Sequence, residues 1–203
     1  MKPAALGFRM HSGWGVLVAV SGDADWVEVV DRKRIVVADS TSGANQPYHQ
    51  AARLRVQESE NHIATCAVAS AQLASAAIER VVGELEAREV RIVGAAVLLA
   101  SARPLPSLAR ILSSHPLIHT AEGEFFRNSV RRACERWKIS VEGFRERELE
   151  ERAKAAFGKS ASGLQRRITT AGGLIGAPWT RDHKAAALAA LIVLSATRNG
   201  RLT

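Results

Sequence analysis

Apolar positions along this chain switch between the period of a strand and the period of a helix. From Ala4 to Val20 (AALGFRMHSGWGVLVAV) they form two short runs parted by His11-Ser12-Gly13, which predicts two strands joined by a tight turn. Trp26 to Val37 (WVEVVDRKRIVV) is rich in β-branched residues and follows a Gly22-Asp23-Ala24-Asp25 turn, so a third strand in a meander is expected. Residues 38–52 are polar and punctuated by Gly43 and Pro47, the pattern of a surface loop, and Tyr48-His49 would pin it or line a cleft. From Val56 to Ala87 the period lengthens. Ile63, Ala67, Ala71, Ala74, Ile78, Val81 and Leu85 recur at steps of three and four, marking one face of a long helix. Val90 to Leu99 (VRIVGAAVLL) then reads as a strand buried on both faces.

The second half continues the alternation. Ser101 to Leu105 breaks the strand, and Leu105 to Leu112 can form one short helix. A longer helix is expected from Pro116 to about Lys138, with Ser114 or His115 as its cap and Phe126, Val130, Ala133 and Trp137 as its apolar stripe. Extended backward, that stripe meets Glu122 and His119, whereas Glu124 falls on the solvent side with Asn128 and Arg131. Ile139 to Phe144 suits a short strand, Arg145 to Phe157 a charged helix ended by Gly158, and Ser162 to Ile168 a further helix. Gly172 to Pro178 reads as a flexible approach to a last helix, capped by Thr180 and apolar from Ala185 to Leu194.

Charge changes this picture more than composition does. The net charge is +8 over 203 residues, and it is unevenly placed. Residues 1–100 hold 10 Lys/Arg against 11 Asp/Glu, and residues 101–203 hold 18 against 9. A one-sided basic field draws nucleic acid or other polyanions. By charge density the substrate-binding candidates are Arg131, Arg132, Arg136, Arg166 and Arg167. A chain of this length fits one domain with its own core and needs no staple. Its two cysteines, Cys66 and Cys134, are isolated, which points to a reducing cytoplasm. The start shows no signal-peptide architecture, and no apolar run approaches the length of a membrane span. The dinucleotide, zinc-protease and serine-hydrolase motifs are absent. Lys159-Ser160 resembles the end of a phosphate-binding loop, but position 153 is Ala where that loop needs Gly.

The order of elements, together with Gly13-Trp14-Gly15-Val16 and the last-helix segment Asp182-His183-Lys184-Ala185-Ala186-Ala187-Leu188-Ala189, resembles the ribonuclease H-like fold, most closely the RuvC-type Holliday-junction resolvases. The resemblance implies an α/β fold with a central mixed five-stranded sheet, a three-strand antiparallel meander and flanking helices. It also implies two divalent cations held by carboxylates from the first strand, the fourth strand and the last helix, since such chemistry needs clustered oxygen ligands. Here the first-strand position falls on Arg9 and the fourth-strand position on Gly94 to Ala96, and only Asp182 matches.

Two readings follow. In one, the chain is a non-catalytic relative that binds nucleic acid or a partner through its basic half. In the other, it is a hydrolase of phosphodiesters with a replacement site. If topology brings His11, His119, Glu122 and Asp182 to one mouth beside Arg9, they would hold one divalent metal or act as acid and base while Arg9 grips a phosphate. A plain alternative is that His119 and Glu122 are an inward-facing structural pair.

Overall fold

The structure is a computed structural model that describes residues 1–39, 43–100 and 104–198. Its centre is a five-stranded sheet in the order β3-β2-β1-β4-β5, with β1 at Lys2–Met10, β2 at Trp14–Gly22, β3 at Val27–Val36, β4 at Val90–Leu99 and β5 at Val141–Arg145. The first three strands form the expected antiparallel meander, and β4 joins β1 in parallel, as β5 joins β4. The mixed five-stranded sheet and its flanking helices are those the sequence pattern and the resemblance lead to. The turn into β2 is closed by His11 N–H donating to the Trp14 carbonyl at 2.7 Å, and Gly13 supplies its positive φ of 78°.

Seven helices lie among the described residues: α1 (Pro47–Ala51), α2 (Val56–Glu86), α3 (Leu108–Leu112), α4 (His115–Arg136), α5 (Leu149–Phe157), α6 (Leu164–Leu174) and α7 (Arg181–Arg198). Alternation along β1 sorts them onto two faces. Ala4, Leu6, Phe8 and Met10 pack against Ala74, Ile78 and Leu85 of α2 and Phe126, Val130 and Ala133 of α4. Ala5, with Ala96 and Leu98 of β4, faces α5, α6 and α7. The alanines of α7 let it sit very close to the sheet. A Cβ placed on Gly7 would stand 1.9 Å from the backbone oxygen of Ala186. None of the described helices is long and apolar enough to cross a membrane.

Several boundaries differ from the sequence expectation, each for a local reason. The stretch expected as a loop at residues 38–52 holds α1, started by Pro47 in its first turn; its residues 40–42 lie outside the description. Ser101 to Arg103 of the expected break also lie outside it. The short helix begins at Leu108 rather than Leu105, because Pro106 disfavours the helical conformation at Leu105. The charged helix starts as a 3-10 turn at Glu146–Glu148. Helix α6 runs on to Leu174, so Gly172 is helical rather than part of a flexible approach. It is small because the Trp179 indole lies where its Cβ would be, with Cε2 at 1.9 Å. Trp137, assigned to the stripe of α4, is 42% exposed because the helix ends at Arg136. On α2, His62 lies 3.6 Å from the Cys66 sulfur, and Glu58 pairs with Arg55.

Replacing Gly7 with Ala therefore forces α7 off the sheet, and a loss of about 2–4 kcal/mol is expected from the resulting packing defect. Gly83 is exposed inside α2 with open space at its Cβ position, so Gly83→Ala should stabilise by about 0.5–1 kcal/mol. Urea unfolding of the two variants checks the contrast. Equal and small effects would mean that α7 is not seated as described.

Candidate functional site

The parallel strands β1, β4 and β5 end at one edge of the sheet, and β2 starts there. Side chains from β1, β2, β3, α7 and the turn after β5 meet at that edge. His11 Nε2 lies 2.8 Å from Asp182 Oδ2, and Arg9 Nε lies 3.7 Å from Oδ1. Arg9 also reaches Glu146 at 3.2 Å, and Arg181 meets the other Glu146 oxygen at 2.9 Å. Both oxygens of Asp182 thus face cationic or proton-bearing partners. The His11 ring stacks on Trp14 at 4.4 Å between centroids, and the Arg34 guanidinium lies 3.8 Å from the Trp14 ring centroid. A pocket of about 410 Å³ opens beside them, lined by Trp14, Arg32, Lys33, Arg34, Asp182 and His183 among others.

His183 closes the inner wall of that pocket and is 9% exposed. Its Nδ1 accepts from the Thr180 backbone N–H at 3.2 Å and lies 2.7 Å from the Thr180 hydroxyl. The expected Thr180 cap is therefore realised in reverse, by a histidine reaching back over the first turn. Burial, and then the charge of Arg32, push the His183 pKa below its ordinary value, while Asp182 pulls the other way.

The four candidate residues do not form one set. His11 and Asp182 meet each other and Arg9 on the α7 side of the sheet. Glu122 and His119 belong to α4, which covers the opposite face. Glu122 is 2% exposed, and one of its oxygens accepts from the backbone N–H of His49 at 3.1 Å and lies 2.9 Å from His49 Nδ1. His119 is exposed and packs edge-to-face against His49 and His115, with centroids 4.8 and 4.5 Å away. The right-handed crossover does start α4 from the expected end of β4, but a crossover helix lies over one face, and α7 enters on the other. Sequence reasoning missed His115 as a member. Its spacing of four from His119 on one helix was the available signal.

The basic candidates also divide. Arg132 and Arg136 are exposed on α4, and Arg136 donates to Ser75 at 3.2 Å. Arg131 is only half-exposed. Arg166 is exposed on α6, across the sheet, and Arg167 is spent on the preceding loop, donating to the carbonyls of Ser160 and Ser162 at 2.6 and 3.1 Å. Glu124, expected to be solvated, pairs with the buried Arg127 at 3.2 Å.

No family model matches the sequence, and no curated protein matches it. Solved structures share the fold, among them two of RuvC. One is Thermus thermophilus RuvC, with a TM-score of 0.53, 14% identity and coverage of 98% of this chain and 97% of that one. The other is T. thermophilus RuvC in complex with a Holliday junction substrate, with a TM-score of 0.55, 12% identity and coverage of 98% and 96%. The chain therefore has the ribonuclease H-like architecture in its RuvC form, over nearly its whole length. The two cations that the resemblance implies do not fit the edge described here. A hard cation needs free carboxylate oxygens, and Arg9 sets a guanidinium among those present.

The lowered pKa of His183 has a consequence for stability. The unfolded chain binds this proton more readily than the folded one, so the stabilisation is present above about pH 6.5 and is lost as pH falls through the folded pKa. Urea midpoints should drop as pH is lowered from about 7 through that window, and the drop should shrink in His183→Leu. Parallel pH profiles for the two proteins would refute the assignment.

Proposed function

We propose that this protein is a nucleic-acid-binding relative of the RuvC-type nucleases that does not use their two-cation chemistry. The observation that carries the reading is Arg9. It stands at the sheet edge where the resemblance calls for a carboxylate, and it pairs with the carboxylate of Asp182 that remains. A divalent cation is repelled by that guanidinium, whereas a phosphate is attracted to it.

The neighbours favour the same ligand. Arg34 and Arg181 are exposed, Arg181 with 88% of its side chain free. Trp14 holds the His11 ring and the Arg34 guanidinium against its own ring, which fixes a cationic group at the pocket wall. One structural neighbour was solved with a Holliday junction, and the overall charge of +8 suits a polyanion. Phosphates would be held by Arg9, Arg34 and Arg181, with Arg132, Arg136 and Arg166 adding to the long-range field. The hydrolase reading needs His119 and Glu122 beside Asp182, and the bonding of Glu122 to His49 speaks against it.

Fluorescence anisotropy with labelled single-stranded, duplex and four-way-junction DNA tests the reading. Affinity should fall steeply with salt, and Arg34→Ala should weaken binding while reducing the log–log salt slope by about 0.9, one phosphate's worth. Gels run from the same mixtures with Mg²⁺ should show intact DNA. Binding indifferent to salt, or Mg²⁺-dependent cleavage that Asp182→Asn abolishes, would overturn it.

A further inference from the structure

On the face of the sheet away from the Arg9 edge, three imidazoles converge. His115 and His119 lie four residues apart in the first turns of α4 and so share one side of it. His49 comes from α1, 66 residues earlier in sequence than His115. One ring nitrogen from each lies within 4.8 Å of the other two. The rings stand edge to face, with centroids 4.5–5.3 Å apart and interplanar angles of 64–90°. The rings are thus not stacked on one another, and a ring nitrogen of each comes close to those of the other two.

We propose that His49, His115 and His119 form a site for one divalent transition-metal ion of the zinc class, with Glu122 orienting His49 from behind. The hydrogen bond that would hold the His49 ring from behind is already in place. Glu122 is almost wholly buried and, when ionised, can only accept hydrogen bonds. Its bond with His49 Nδ1 at 2.9 Å therefore puts the His49 proton on Nδ1 and leaves Nε2 with a free lone pair. The same oxygen accepts from the His49 backbone N–H, which fixes the helical turn as well as the ring. A metal-bound histidine characteristically hands its other N–H to a carboxylate in this way. Burying the Glu122 carboxylate is costly, and a structural role alone would be met more cheaply by an amide.

Charge and donor type decide what the site would take. The N-terminus of α4 carries partial positive charge near His115, which opposes a cation. The Glu122 carboxylate, bonded to His49, supplies the compensating charge. Three neutral imidazoles favour zinc, cobalt, nickel or copper over magnesium and calcium, which require oxygen. The ion is thus of another class from the hard cations of the RuvC-type mechanism. Three nitrogens at about 2.0–2.1 Å from a tetrahedral ion lie about 3.3 Å apart. The present spacing must contract on binding, and the exposed His115 and His119 are free to rotate inward. Three protein ligands leave the fourth position open to water or another small ligand.

The test uses the full chain without an affinity tag, stripped by a chelator and titrated with Co²⁺ alone. Tetrahedral cobalt gives visible ligand-field bands, and these should grow to saturation at one ion per chain and vanish on adding Zn²⁺, with no response to Mg²⁺. His115→Ala and His119→Ala change exposed residues and should leave the far-ultraviolet circular dichroism intact while weakening Co²⁺ by at least about tenfold each. Glu122→Gln should weaken it by about 10–100-fold, and His11→Ala should leave it unchanged. Absence of saturable bands, or bands that survive in the His115→Ala/His119→Ala double variant, would overturn the proposal. Neither result bears on nucleic-acid binding at the opposite edge.

Discussion

The structure depends on how closely α7 lies against the middle of the sheet. Ala186 brings its backbone to Gly7 of β1 at a distance that no side chain on that residue would permit. Ala187, Ala189 and Ala190 are fully buried around it, and Leu188, Leu191 and Leu194 fill the space between α7 and its neighbours. Each buried leucine of this kind contributes about 1.5–3 kcal/mol. The pairing of β1 with β4 in parallel gives the sheet an edge at which strand ends collect, and the seating of α7 delivers its first turn to that edge. Asp182 reaches His11 and Arg9 because the helix carrying it has no freedom to stand away.

The chemistry of the edge follows from the sign of the charge at Arg9. A sheet of this kind collects the ends of β1, β4 and β5 whatever side chains they carry. With carboxylates there, the edge would gather cations. With Arg9 there, the carboxylates of Asp182 and Glu146 are already paired with Arg9, His11 and Arg181, and the outward guanidinium groups present positive charge. The stack of His11, Trp14 and Arg34 extends that surface onto β2 and β3. Fold and chemistry are separable: the architecture matches RuvC over nearly its full length, and that likeness alone does not carry a chemistry with it.

Much of this could be read from the residues. The strands, the long helix α2 and the meander follow from apolar period, because those segments bury one or both faces over many residues. The meeting of Asp182 with His11 followed from topology, since both sit at chain positions that a parallel β1–β4 pair carries to one end. The partner of Glu122 did not follow. His49 lies 73 residues away on a five-residue helix inside a polar stretch, and nothing local marks that helix as a wall for α4. The stripe of α4 did show that Glu122 faces inward, and burial of a carboxylate implies a partner; only the identity of the partner was hidden. Arg167 was misleading for the opposite reason, since a basic residue in a charge-dense run turned out to be bonded to its own loop.

The two faces of the sheet therefore carry different equipment, a cationic edge on one and an imidazole cluster on the other. The claim on which the rest turns is that the edge at Asp182 has no room for a hard cation. Nitrogen-15 chemical-shift mapping during a Mg²⁺ titration measures this most directly, because magnesium ignores the imidazole cluster and reports on carboxylates alone. The account predicts that the amide signals of Arg9, His11, Glu146 and Asp182 stay in place up to millimolar Mg²⁺. Saturable shifts centred on those residues, lost in Asp182→Asn, would contradict it.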